Sequence, residues 1–156
     1  MKLIIIRGPS GSGKSTIAQA LGGFANVSWL EADMYFYQNN KYSFDARLLG
    51  EAHRWCQEGV RRALQIGMED NPMFSGGVIV SNTSTTLSEV NAYIKIAQEQ
   101  GVPWEVIRTP GPWNIDDLFA RNEHNVPRAV LEKQVARYVP VDGEREWDDL
   151  SIFNAK

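Results

Sequence analysis

The chain has 156 residues, a length that points to one domain able to bury its own core. Its single cysteine, Cys56, excludes an internal disulfide and fits a reducing, cytoplasmic compartment, and no apolar run approaches the length of a membrane span. The formal net charge of −3 resides in residues 141–156, with five acids and two bases, whereas the other 140 residues balance 14 acids against 14 bases, so the body does not advertise broad nucleic-acid binding.

Leu3 to Ile6 is a short, β-branched apolar run and reads as a strand buried on both faces. It leads into Gly8-Pro9-Ser10-Gly11-Ser12-Gly13-Lys14-Ser15-Thr16, which contains the P-loop pattern G-x-x-x-x-G-K-[ST]. The glycines permit positive φ and close approach to an anion. Successive N–H groups then surround a phosphate at the positive end of the helix that starts near Ile17. Lys14 has the reach for the β- and γ-phosphates, and Ser15 for Mg²⁺. The expected ligands are therefore a nucleoside triphosphate, taken as ATP, and Mg²⁺, with residues 8–16 as the nucleotide cradle and Ser15 as the metal ligand.

Asn26 to Ala32 reads as a second strand ending at Asp33. Strand, helix, strand implies a βαβ unit and a parallel sheet, whose ligands bind beyond the carboxyl ends of the strands. Asp33 is thereby a candidate general base for an acceptor hydroxyl, or else a helix N-cap or a turn aspartate. Met34 to Phe44 is aromatic, with an Asn39-Asn40 turn; Tyr35, Phe36, Tyr37, Tyr42 and Phe44 either stack on a base or pack the loop onto the body.

Asp45 to Ile66 has helical apolar spacing through Leu48, Leu49, Ala52, Trp55, Cys56, Val60, Ala63 and Leu64, and Gly67 is expected to end the helix. Asn71 to Gly77 reads as a loop. Gly77 to Ser81 is a third strand, followed by the polar cluster Asn82 to Thr86. Ser and Thr there suit a cap for the helix Leu87 to Gln100; Asn82 is assigned to the site. Ser81 stands where the strand might have supplied a metal-binding acid. Val102 to Arg108 is a fourth strand, Asn114 to Asn125 a short helix, and Arg128 to Tyr138 a last one. Arg121 and Arg128 are candidates for closing over the phosphates, against the alternative of solvated or ion-paired helix residues. The expected division is a kinase domain over 1–140 and an acidic C-terminal tail over 141–156, docked as a short strand or loose.

Several blocks in this order resemble the polynucleotide-kinase-like P-loop kinases, which include the kinase domain of phage polynucleotide kinase. They are GPSGSGKST, the Asp33-x-Tyr35 pair, Phe44-Asp45 with Ala52-His53-x-Trp55, Val78 to Thr86, and Ala120-Arg121-Asn122-x-His124-x-Val126-Pro127. The resemblance implies an α/β P-loop NTPase fold of the nucleoside-kinase type, a small parallel sheet flanked by helices. It implies transfer of the ATP γ-phosphoryl group to the 5′-hydroxyl of a DNA or RNA end in a repair role. Lys14 and Ser15 would hold the triphosphate and Mg²⁺, Asp33 would be the base, and Arg121 the lid arginine. Asn82 would stand where the phage enzyme has an aspartate holding the acceptor end, and Phe36 where it has an arginine thought to contact a substrate phosphate. Asn125 would stand where small relatives have glycine. The alternatives are a kinase for a nucleoside, sugar or modified base, and an ATP-binding switch with weak hydrolysis.

Overall fold

The computed structural model describes residues 1–22, 27–68 and 76–148. The apolar run at the start forms β1 (Leu3–Arg7), and the glycine loop after it gives way to α1 (Lys14–Gly22). β2 (Val27–Leu30) is shorter than the sequence suggests; Asn26 lies outside the described residues, and Glu31 already leaves the strand. Ala32–Phe36 then makes a 3-10 turn. The aromatic stretch folds as a hairpin of β3 (Tyr37–Gln38) and β4 (Lys41–Tyr42). Asn39 and Asn40 turn it at φ 51° and 61°, the left-handed conformation that asparagine tolerates in two-residue hairpins.

After a second 3-10 turn at Ala46–Leu48, α2 (Leu49–Met68) runs one residue past Gly67. The expected loop from Asn71 lies mostly outside the described residues. β5 (Gly77–Ser81) leads to α3 (Leu87–Gln100), whose start is fixed by a reciprocal cap between Thr86 and Glu89. β6 (Trp104–Arg108) is followed by α4 (Ile115–Arg121), α5 (Arg128–Ala136) and β7 (Arg145–Glu146).

The five long-range strands form one parallel sheet in the order β2-β5-β1-β6-β7. Because side chains alternate along a strand, Leu3 and Ile5 join Val78, Val80 and Val106 on one face, under Cys56, Val60 and Leu64 of α2 and Val90, Tyr93 and Ile96 of α3. Ile6, Ile79 and Ile107 face the other way, onto Ile17 and Ala18 of α1 and onto Trp147. The fold is an α/β P-loop fold with a central parallel sheet flanked by helices.

The described part of the segment after residue 140 docks on the body as the short strand β7, beside β6. Arg7, at the end of the central strand, is completely buried, and its guanidinium pairs with Glu144 at 2.6 Å. The same guanidinium donates to the carbonyls of Ser84 and Val139, both at 2.8 Å, and lies 4.3 Å from the centre of the Tyr138 ring. Tyr138 in turn donates its hydroxyl to Glu144. A charge this deep needs all of those partners, so Val139 and Glu144 are tied to the end of β1, and Trp147 is buried against the sheet. Residues 149–156, the rest of the acidic segment, lie outside the described residues.

Candidate active site

The P-loop is held open from three sides. Gly8 donates its N–H to the carbonyl of Thr83 beyond β5, at 3.2 Å. A Cβ added at Gly8 would lie 2.3 Å from Thr109 Oγ1, so only glycine lets the loop pass the end of β6. Thr109 Oγ1 also donates to Ser12 Oγ at 2.9 Å and accepts from Trp113 Nε1 at 3.1 Å. Gln134 of α5, buried, accepts the Ser10 N–H at 2.9 Å. Gly11 and Gly13 adopt φ 80° and 104°, the positive region that the phosphate cradle requires. A Cβ on Gly11 would meet the carbonyl oxygen of Leu118 at 2.4 Å and the backbone nitrogen of Asn122 at 3.3 Å. The last turn of α4 therefore lies directly on the loop.

Lys14 begins α1, and its Nζ donates back to the carbonyl of Pro9 at 3.0 Å. Burial lowers its pKa to about 8, against the opposing pull of the Glu31 and Asp33 carboxylates. Those two acids thus flank the lysine, on the rim where the strands end.

Glu31 is the residue that sequence reasoning missed. Its Oε1 accepts from Ser15 Oγ at 2.9 Å and from Ser81 Oγ at 2.7 Å, and Ser81 is itself held by Trp29 Nε1 at 2.7 Å. An acid just past the end of β2 thus stands beside Ser81, at the end of β5, and is oriented by it. Hard oxygen donors from Ser15 and Glu31 suit Mg²⁺, which takes one or two protein oxygens and keeps the rest of its shell for water and phosphate. The signal was present two residues before Asp33, but drawing the strand to Ala32 counted Glu31 as sheet.

Asp33 lies in the 3-10 turn after β2, and its carboxylate is 42% exposed. It does not cap that turn; the position belongs to Glu31. Its Oδ1 accepts from the Tyr42 hydroxyl at 3.4 Å, and its Oδ2 faces His124 Nε2 at 3.7 Å.

The other expected substrate residues have different surroundings. Asn82 is buried, and its Oδ1 accepts the Ala32 N–H at 2.9 Å while its Nδ2 donates to the Tyr93 hydroxyl at 2.9 Å and to Cys56 Sγ at 3.7 Å. The amide is committed to fixing the backbone one residue before Asp33, so Asn82 acts on the site from behind rather than by facing an acceptor. Tyr35 donates to Glu51 at 2.9 Å and leans on Trp55, tying the turn to α2. Phe36 is buried between Phe44 and Tyr42, which removes it as a surface for stacking a base. Arg128 pairs with Asp116 at 2.7 Å and lies over Phe119, bracing α5 against α4. Arg121 is 65% exposed, with Asp117 at 3.9 Å.

The lysine's lowered pKa has a measurable consequence. Well below pH 8 Lys14 is charged in both the free and the nucleotide-bound protein, and this lysine leaves affinity for a triphosphate nearly flat. As pH rises through about 8 and beyond, the free protein must take up a proton on binding, and affinity falls by up to about tenfold per pH unit. Calorimetry in buffers of different ionisation enthalpy is expected to show much larger proton uptake on binding Mg-ATP at pH 9 than at pH 6.5. Lys14→Arg, charged throughout, is expected to abolish the uptake.

The family model of an AAA domain, AAA_33, matches residues 3–141. The chain is 32% identical over 142 residues to NEDD4-binding protein 2 of Homo sapiens, a match covering 87% of this chain and 8% of that protein. It is 29% identical to uncharacterized protein PM0531 of Pasteurella multocida, over 83% of this chain and 72% of the relative. Among solved structures it is similar to the Pnkp1/Rnl/Hen1 RNA repair complex, with a TM-score of 0.67 and 19% identity over 87% of this chain and 43% of that one. It is also similar to a gluconokinase from Sinorhizobium meliloti 1021, with a TM-score of 0.62 and 15% identity over 93% of this chain and 81% of that one. At these identities the structural likenesses speak to fold, and the family match, spanning nearly all of the described sheet, speaks to kinship. With its P-loop, parallel sheet and flanking helices, the chain belongs to the AAA_33 family of AAA-domain proteins and carries the fold of the P-loop kinases.

Proposed function

We propose that this protein is an ATP- and Mg²⁺-dependent kinase that phosphorylates a hydroxyl, with the 5′-hydroxyl of a DNA or RNA end as its acceptor. The observation that carries the reading is the P-loop at the end of β1 with Asp33 in the turn just beyond the end of β2, on the same rim of the parallel sheet, its carboxylate 42% exposed. When bound, ATP with Mg²⁺ supplies the electrophilic phosphorus and the ADP leaving group. The chain's own residues do the rest. Lys14 neutralises charge on the phosphates, Ser15 and Glu31 hold the metal side, and Asp33 accepts the proton of the acceptor hydroxyl as its oxygen bonds to phosphorus. Catalysis is then positioning and charge neutralisation, with no covalent intermediate on the protein.

The nucleic-acid acceptor is supported by two aromatic rings around Tyr42, which donates to this carboxylate. Tyr37 and Phe44 are each about half exposed; Tyr37 packs on Tyr42, and Phe44 reaches it through Phe36. Such rings stack on bases without regard to sequence. A small hydroxyl compound is the second reading, favoured by the balanced charge of residues 1–140 and the burial of Phe36.

The test uses labelled ATP, Mg²⁺, 5′-hydroxyl DNA and RNA oligonucleotides, and a panel of nucleosides and sugars. Label on an oligonucleotide end, absent with Lys14→Ala, is the expected result. Label on a small compound alone replaces the acceptor and keeps the reaction. Nucleotide binding without transfer to any of them overturns the kinase reading in favour of a switch.

A further inference from the structure

His124 and Tyr42 come from opposite sides of the site. Tyr42 ends the hairpin strand β4, and His124 lies in the turn after α4. Their rings stack, with centroids 4.5 Å apart and planes at 27°. Each ring presents one donor to one oxygen of the same carboxylate: the Tyr42 hydroxyl to Asp33 Oδ1 at 3.4 Å, and His124 Nε2 toward Asp33 Oδ2 at 3.7 Å. Burial, reinforced by Asp33 itself, pushes the Tyr42 phenol far above its ordinary value, so it stays a donor at any working pH.

The turn that carries His124 is built by a single side chain. Asn122 accepts the N–H groups of His124 and Val126, at 3.2 and 3.0 Å, and donates to the carbonyl of Val126 at 2.8 Å. Asn125 completes the turn at φ 54°. Asn122 directly follows Arg121, and its backbone nitrogen faces Gly11 of the P-loop. The exposed Arg121 and the ring beside Asp33 are thus joined by one hydrogen-bonded turn, seated on the phosphate loop.

We propose that the stacked His124–Tyr42 pair is a latch that positions Asp33 and couples its orientation to the seating of the α4 turn on the P-loop. His124 is a positioning residue: it meets the proposed base, not the substrate. With the Tyr42 hydroxyl bonded to one oxygen and the His124 ring 3.7 Å from the other, the carboxylate has less room to rotate, and 42% of it stays open to solvent for an acceptor hydroxyl. A carboxylate free to rotate spends less time in that orientation, and transfer slows in proportion. The latch rests on the reading of Asp33 as general base.

His124→Phe keeps the stacking ring and removes the donor, and Tyr42→Phe does the same from the other side. His124→Gln restores a donor at a similar reach. The readouts are kcat and KM for phosphate transfer to a 5′-hydroxyl oligodeoxynucleotide, nucleotide affinity, and melting temperature. His124→Phe and Tyr42→Phe are each expected to lower kcat about tenfold, with KM for ATP and melting temperature unchanged. His124→Gln is expected to recover part of the loss. In an Asp33→Asn background His124→Phe should cost nothing further, because the group it positions is gone.

Wild-type kcat in His124→Phe, or an equal loss in the Asp33→Asn background, overturns the latch. Loss of melting temperature in proportion to kcat shows a merely structural ring and also overturns it. If Asp33→Asn itself transfers phosphate at the wild-type rate, or the wild-type protein transfers phosphate to neither an oligonucleotide nor a small hydroxyl compound, it is the base reading that fails, and the latch fails with it. These patterns differ, since a failed latch leaves Asp33→Asn inactive and the wild-type protein active.

Discussion

Asp33→Ala is expected to reduce phosphate transfer by about 10²- to 10⁴-fold, the range of a lost general base, while ATP binding stays nearly intact. The two effects separate because, among the described residues, the carboxylate makes no hydrogen bond to the P-loop and meets Tyr42 and His124 instead. Its one link to the nucleotide side is electrostatic. Asp33 and Glu31 both raise the pKa of Lys14 against the larger effect of burial, so removing Asp33 lets that pKa fall below about 8. The comparison is therefore made near pH 6.5, where the lysine stays charged in both proteins. Transfer is read with labelled ATP and binding by calorimetry. If transfer and binding fall together, Asp33 belongs to the metal or the fold, and the base reading is lost. Full activity in the variant leaves the acceptor proton to water and overturns it outright.

What the sequence made legible was local. The glycine pattern, the strand before it and the helix after it are written within sixteen consecutive residues, so loop, cradle and lysine follow directly. Short apolar runs likewise located β1, β5 and β6, and helical spacing located α2; boundaries were less legible, such as that of α4, which stops at Arg121 where the Asn122 side chain takes over the backbone of the next turn. What stayed hidden depends on which strands are neighbours. The link from Ser15 through Glu31 to Ser81 exists because β2 lies beside β5, a pairing no local pattern states. The same holds for Arg7. A charged residue ending a strand reads as a rim residue, yet here it is the buried anchor for Val139 and Glu144. Asn125 is an instructive middle case. Its standing in place of a glycine was visible, and the reason, a positive φ that asparagine tolerates, appears only in the folded turn.

Arg121→Ala is expected to lower kcat by about 10³-fold or more, at the lower end of what an arginine supplies to a transferring phosphoryl group, with little change in ground-state ATP affinity. The case rests on position and freedom. Arg121 is in the last turn of α4, and that turn contacts Gly11 through Leu118 and Asn122, which puts the root of the side chain against the phosphate loop. Its guanidinium is 65% exposed and its pairing with Asp117, at 3.9 Å and one turn away, is worth only about 0.3–0.5 kcal/mol. Swinging from that carboxylate to a phosphate therefore costs little. Arg128 is the internal control. It is held by Asp116 at 2.7 Å and by the Phe119 ring, so Arg128→Ala should lower melting temperature slightly and leave kcat near wild type. Arg121→Lys should recover little, because a point charge does not reproduce the planar, two-pronged contact with phosphate oxygens. Single-turnover transfer and calorimetric ATP binding separate the two effects. Wild-type turnover in Arg121→Ala would remove the arginine from the chemistry and leave α4 as a brace for the P-loop. A reciprocal result, with kcat lost in Arg128→Ala alone, would mean that the Asp116 pairing breaks on nucleotide binding and that the second arginine does the closing.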